Sequence, residues 1–216
     1  MSIPPSRRLV LQATGAAALL PILRPAFAVA APATPAQTLG PFYPREFPLD
    51  RDNDLARVAG QQAKGTIAHV FGTVSDTNGR PVPAARVEIW QVNAFGRYHD
   101  PRDRRDAPLD PGFQGYGEVV TNQAGEYRFR TIKPVPYPGR TAHIHFKITA
   151  PGGDGGLVTQ LYVEGEPGNA RDSQLNAIRD AAARQSLVVP FAPAAAIEAN
   201  ALAARFPIVL GVNAAR

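Results

Sequence analysis

The sequence predicts an all-β fold, an antiparallel β-sandwich core with long loops and one or two short helices. Three observations predict it. Short runs of alternating apolar and polar residues recur along the chain, and turn-forming dipeptides separate them. The 22 prolines among 216 residues, about twice the usual ~5%, leave little room for long helices. Six or more short strands punctuated in this way fit a sandwich.

Residues 66–74 form the first expected strand, closed by Asn78-Gly79, a strong hairpin signal. In residues 85–92, Val87, Ile89 and Gln91 alternate with Glu88, Trp90 and Val92, and Trp90 reads as core, as does Phe129. Residues 93–119 read as one long loop rich in charge, Gly and Pro, a length that is usually functional. Asn122-Gln123-Ala124-Gly125 turns the chain into a strand at 126–132, where Tyr127, Phe129 and Thr131 alternate with Arg128 and Arg130. Further strands are expected at 142–149, 157–163 and 206–212. Residues 172–185 start with an acid and carry apolar residues at helical spacing, which predicts a short helix. A second is expected near 193–204.

Residues 1–28 read as an export signal of the twin-arginine type. Arg7-Arg8 precedes an apolar stretch, and Ala26-Phe27-Ala28 supplies a small-residue cleavage pattern. The stretch is too short and interrupted for a membrane span, and the expected destination is the periplasm or the exterior. Residues 29–64 are then a linker and N-terminal arm, and 65–216 the sandwich domain. The signal takes three of the 23 basic residues and none of the 18 acids, leaving a net charge near +2. So weak a balance argues against a nucleic-acid or membrane-surface partner. Cysteine is absent, which excludes disulfides and thiolate ligands. Any metal must be held by nitrogen and oxygen.

Residues 131–146 read TIKPVPYPGRTAHIHF. On a strand, His143 and His145 share one face while Ile144 and Phe146 share the other. Two imidazoles about 7 Å apart along a strand can meet one metal ion. The pair fits a surface pair of histidines equally well. Tyr137 fits a turn or core aromatic, Tyr98 a solvated loop tyrosine, Arg140 a solvated turn arginine and Gln160 an inward structural amide. His69 reads as structural and His99 as exposed, with pocket lining its alternative.

An ordered set of segments goes further. Ile89-Trp90-Gln91-Val92-Asn93 with Gly96-Arg97-Tyr98, Asp110-Pro111 through Phe113, Gly125 through Pro138, Ala142-His143-Ile144-His145-Phe146, and Thr159-Gln160-Leu161-Tyr162-Val163-Glu164-Gly165 together resemble the intradiol ring-cleavage dioxygenases. The likeness is strongest to the iron-bearing subunit of their protocatechuate-cleaving members. It implies one Fe(III) per chain, held by Tyr98, Tyr137, His143 and His145, and cleavage of a catechol-type diol by O₂ to a cis,cis-muconate. It further implies that Tyr137 acts as a base, that Arg140 stabilises charge developing on the substrate ring, and that Gln160 orients the substrate. A homo-oligomer and pairing with an iron-free homologous subunit both stay open. One departure stands out. Only residues 138–142 separate Tyr137 from His143, where the resembled subunit has a longer insert, so the pocket wall differs. Residues 71–74 and 86–89 are also similar to non-catalytic transthyretin-like binding modules. A zinc or copper site on His143 and His145 is a third reading, weakened by the lack of an acidic ligand beside the pair.

Overall fold

The computed structural model describes residues 31–153 and 156–211, and the expected export signal lies outside them. A two-residue hairpin, β1 (Arg57–Val58) with β2 (Gln61–Gln62), precedes the main strands. These are β3 (Ile67–Asp76), β4 (Arg86–Trp90), β5 (Tyr116–Val120), β6 (Glu126–Ile132), β7 (His143–Thr149) and β8 (Leu157–Val163). Two short helices follow, α1 (Ser173–Asn176) and α2 (Ala181–Gln185). The chain ends in β9 (Val188–Val189), β10 (Ala192–Pro193), β11 (Leu202–Arg205) and β12 (Ile208–Leu210). Among the described residues no helix is long and apolar enough to cross a membrane.

Two five-stranded sheets make the sandwich. In one, β3 pairs antiparallel with β6 on one side and parallel with β11 and β12 on the other. The second runs β5-β4-β7-β8-β9. Its centre is antiparallel, and only the short marginal pair of β8 with β9 is parallel. Alternation explains the layering. Val87, Ile89, Ile144, Phe146, Ile148 and Leu161 point inward and join Val70, Val74, Phe129 and Phe206 in one buried core. Phe146 bridges the sheets, its ring 5.1 Å from that of Phe206 and 6.1 Å from that of Tyr127. Burying a side chain of this size contributes about 2–3 kcal/mol.

Three sequence expectations need correction. Part of the expected 93–119 loop is strand β5. Its burial runs buried, buried, intermediate, intermediate, exposed rather than alternating, so no period-2 pattern announces it. No helix forms near 193–204. Pro193 sits in β10 and Asn200 adopts a left-handed φ of 60°, a conformation incompatible with a continuing helix. The 172–185 helix is two pieces, because Asp172 and then Asp180 each cap a new helical start by accepting backbone N–H groups. Trp90 is buried as expected, in a second hydrophobic cluster with Val92, Tyr98 and Tyr116.

The Asn78-Gly79 turn forms as expected, with Gly79 at φ 76°. Asp76 accepts from the backbone N–H groups of Asn78 and Arg80. The chain pairs with β3 only briefly at Ser75 and Pro81 before crossing to the other sheet.

Gly72 of β3 lies where the β11–β12 connection crosses. A methyl group added there would sit 2.1 Å from the Phe206 carbonyl oxygen. Gly72→Ala is therefore expected to cost about 3 kcal/mol, read as a lower urea midpoint at unchanged slope. An unaltered midpoint would show that the Phe206 crossing is not tightly seated.

Candidate metal centre

The outer face of the β4/β7/β8 sheet carries the site. Strand pairing sets Trp90 opposite His145 and His145 opposite Gln160, with His143 opposite Tyr162. Because cross-strand partners share a face, this row presents an indole, two imidazoles, an amide and a phenol side by side. The His145 ring lies flat on Trp90, with centroids 4.8 Å apart and planes 7° apart.

Loops bring in two more phenols. Asn93, fully buried, folds the turn after β4 by accepting from the backbone N–H groups of Phe95 and Arg97 and donating to the Pro108 carbonyl. Gly96 supplies the positive φ of 79°, and Tyr98 follows. Its backbone N–H donates to the Asp103 carboxylate at 2.8 Å. Tyr137 sits in a tight turn closed by reciprocal backbone bonds with Arg140. Gly139, at φ 84°, makes the turn possible.

All four expected ligand side chains are thereby brought together. Ring centroids are 5.8 Å apart for Tyr98 and Tyr137, 5.5 Å for Tyr137 and His143, 4.9 Å for His143 and His145, and 6.3 Å for Tyr98 and His145. The Nε2 atoms of the two histidines face each other at 3.3 Å. His143 Nδ1 lies 2.6 Å from the Thr141 carbonyl, which can only accept. The proton therefore sits on Nδ1, and the Nε2 lone pair is free for a ligand.

Burial tunes these groups. It lowers the His143 pKa from 6.5 to about 4, helped by the Arg140 charge. His145 is pushed well below 6.5 by burial, then by His143 and Arg140. Both rings are thus neutral near pH 7, the form that binds metal. Burial raises the Tyr98 phenol well above 10, and the Tyr137 phenol adds to this. Only a strong local cation would ionise it.

Fit to such a cation can be judged from the side chains themselves. The Tyr98 hydroxyl and the Gln160 amide nitrogen are buried without a hydrogen-bond partner. Among the described residues no third His, Asp or Glu joins the pair, so the donor set is two phenols and two imidazoles. Hard phenolate oxygen suits a trivalent ion, and the set fits ferric iron better than zinc or copper.

Arg140 lies at the edge of the cluster. Its Nη2 donates to Gln160 Oε1 at 2.6 Å and its Nε to Asp172 Oδ2 at 2.9 Å. Burial alone would weaken its charge, but the Asp172 carboxylate more than offsets this and holds it. Arg105 also lies against the cluster, and sequence reasoning did not single it out. Its guanidinium lies 4.3 Å from the Tyr137 ring centroid and 5.7 Å from that of Tyr98, and it pairs with Asp103. Nothing in the run Arg102–Arg105 distinguishes one arginine from its neighbours. Asp172 was readable as a helix start, but not as the anchor of Arg140. His69 lies away from the site and meets Glu198 at 3.0 Å. His99 is exposed, and with Phe42, Phe47, Trp90, Tyr98 and Tyr116 it lines a cavity of about 570 Å³ that neither Arg140 nor Gln160 reaches.

The depressed histidines have a consequence for the metal-stripped protein. The unfolded chain takes up protons near pH 6.5, whereas folded His143 does so only near 4. Stability should be full above about pH 6.5 and fall as the pH drops towards 4. Urea midpoints across this range measure it, and a flat profile would show that the imidazoles are not buried neutral.

Comparison with known proteins agrees with the geometry. Residues 38–212 match the family model described as "Dioxygenase". The protocatechuate 3,4-dioxygenase beta chain of Burkholderia cepacia is 41% identical over 170 residues, 76% of this chain and 72% of that one. Hydroxyquinol 1,2-dioxygenase of Corynebacterium glutamicum is 37% identical over 153 residues, 62% of this chain and 47% of its own length. This chain thus spans about half of that relative. Among solved structures, the dioxygenase domain of a dioxygenase and carbohydrate-binding fusion from Streptomyces sp. SirexAA-E superposes with a TM-score of 0.66 at 30% identity. The match covers 84% of this chain and 99% of that domain. The chain is an enzyme and belongs to the intradiol dioxygenase family.

Proposed function

We propose that the chain holds one ferric ion through Tyr98, Tyr137, His143 and His145, and cleaves a catechol-type diol with O₂ between its two hydroxyl-bearing carbons to give a cis,cis-muconate. The observation that carries this reading is the convergence of two phenols and two neutral imidazoles on one buried point. Bound there, ferric iron would supply the Lewis acidity that ionises both phenols and the diol and makes the substrate ring open to attack by O₂.

The residues divide the remaining work. Tyr98 and His145 are buried and serve as the fixed side of the site. Tyr137 is only partly buried; it swings aside when substrate arrives, and its Oη takes one of the diol protons. Arg140, held by Asp172, puts its positive charge beside the substrate ring where negative charge develops. Gln160 has one amide hydrogen-bonding edge occupied by Arg140 and the other free, so its Nε2 donates to a substrate oxygen. Trp90, flat against His145, keeps water from that ring. Protocatechuate, catechol and hydroxyquinol, which the relatives' names contain, are the candidate substrates. The short 138–142 connection sets the wall that chooses among them.

Ferric tyrosinate would colour the purified protein red-brown, with about one iron per chain and oxygen uptake on a catechol panel. Colourless, iron-free protein inert towards every diol would defeat the proposal and leave the transthyretin-like binding module. Arg140→Gln is expected to lower kcat about 100-fold while the colour persists. Tyr98→Phe should bleach part of the colour and lower turnover by about 1000-fold.

We also propose export through the twin-arginine route, supported by Arg7-Arg8 and Ala26-Phe27-Ala28. That route carries proteins already folded around their metal. A reporter fused behind residues 1–28 and found only in the cytoplasm would end this reading.

A further inference from the structure

Glu88 has no exposed surface, yet it lies on the outer face of its sheet, among residues that the chemistry above does not use. A buried carboxylate is costly unless hydrogen bonds and a countercharge hold it. Its Oε1 accepts from two phenols, Tyr43 at 2.6 Å and Tyr116 at 2.8 Å. Its Oε2 has no hydrogen-bond partner but faces Arg86 Nε at 3.6 Å and Lys147 Nζ at 3.7 Å. Lys147 also donates to the Tyr43 oxygen at 3.0 Å and sits over its ring.

Tyr43 belongs to the segment 38–44, which crosses the ligand rings. At Gly40 (φ 73°) an added methyl group would meet His145 Cε1 at 3.2 Å. Phe42 stacks on Tyr98 with centroids 4.7 Å apart. Tyr43 stands edge-on to Trp90 at 5.0 Å, and Trp90 in turn lies on His145. Three successive contacts of one segment thus touch three members of the site. The strongest tie of that segment to the sheet is the Tyr43 hydroxyl on Glu88, a charge-assisted bond.

We propose that Glu88 is a positioning residue that, through Tyr43, latches segment 38–44 across the ligand rings and so fixes the wall formed by Gly40 and Phe42. Lys147 completes the latch by neutralising the carboxylate and fixing the phenol's orientation. Its effect on turnover rests on the ferric dioxygenase reading; the latch itself does not.

Two substitutions test it in the purified full chain. Tyr43→Phe deletes one hydroxyl and keeps the ring against Trp90. Glu88→Gln keeps the shape and removes the charge. Amide hydrogen exchange over residues 38–44 is expected to quicken about tenfold or more in both, with β3 and β6 unchanged. The KM for the best diol should rise about tenfold while kcat changes much less. Unchanged exchange over 38–44 in Tyr43→Phe would overturn the proposal. Loosening of β3 and β6 along with the segment would also overturn it, since Glu88 would then be holding the sheet rather than the arm. Faster exchange with an unmoved KM would refute the positioning role. Should the protein prove to bind no iron, exchange over 38–44 still answers for the latch, so the two readings fail separately.

Discussion

Everything at the site depends on the two-residue repeat of strand β7. Its even-numbered members, Ile144, Phe146 and Ile148, lie in the apolar layer between the sheets, while His143 and His145 stand on the opposite face. A slip of one residue would drive both imidazoles into that layer and expose the aromatic centre of the core. Neighbouring strands pin the register on both sides, at Trp90 through β4 and at Gln160 through β8. One ladder of backbone hydrogen bonds therefore sets the Trp90 indole, the His145 imidazole and the Gln160 amide together.

The charges follow a similar economy. Asp103 and Asp172 are buried carboxylates, and each pairs with a guanidinium at the cluster. Arg105 lies over Tyr137, and Arg140 reaches Gln160. Two positive groups thus lie near the Tyr98 phenol, whose burial favours the neutral form. The pocket is poised to accept negative charge but does not create it unaided. That balance suits a Tyr98 phenol that ionises only beside a strong local cation.

How much of this could be read from the sequence follows from the physics of each part. Strands β6, β7 and β8 declare themselves because one face is core and the other is not. His143 and His145 were readable for the same reason. Tyr98 and Tyr137 were not, from residues alone, because a loop tyrosine carries no period, and only the ordered family segments singled them out. Strand β5 hid because Tyr116 and Gly117 are both buried, one under the arm and one against Leu55. Trp90 has the composition of a core residue and the burial of one, yet lies on the outer face. Burial tells how deep a side chain sits, not which layer covers it. Arg105, Asp172 and Glu88 each contact residues far away in sequence, Tyr137, Arg140 and Tyr43 in turn, and no local pattern could have named those partners.

Because the cluster sits on the outer face of its sheet, the side chains that hold the sandwich together and those that build the cluster point to opposite faces of the same strands, and loops supply the rest. Residues 93–115 and 137–142 can lengthen or shorten without removing a single inward side chain from β4, β7 or β8. Doubling the length of such a connection costs only about 0.6 kcal/mol in closure entropy, far less than losing one buried aromatic. The architecture thus tolerates variation in the loops around the strand-borne pair His143 and His145. A scaffold of this kind can change its preferred aromatic without reopening the question of whether it folds.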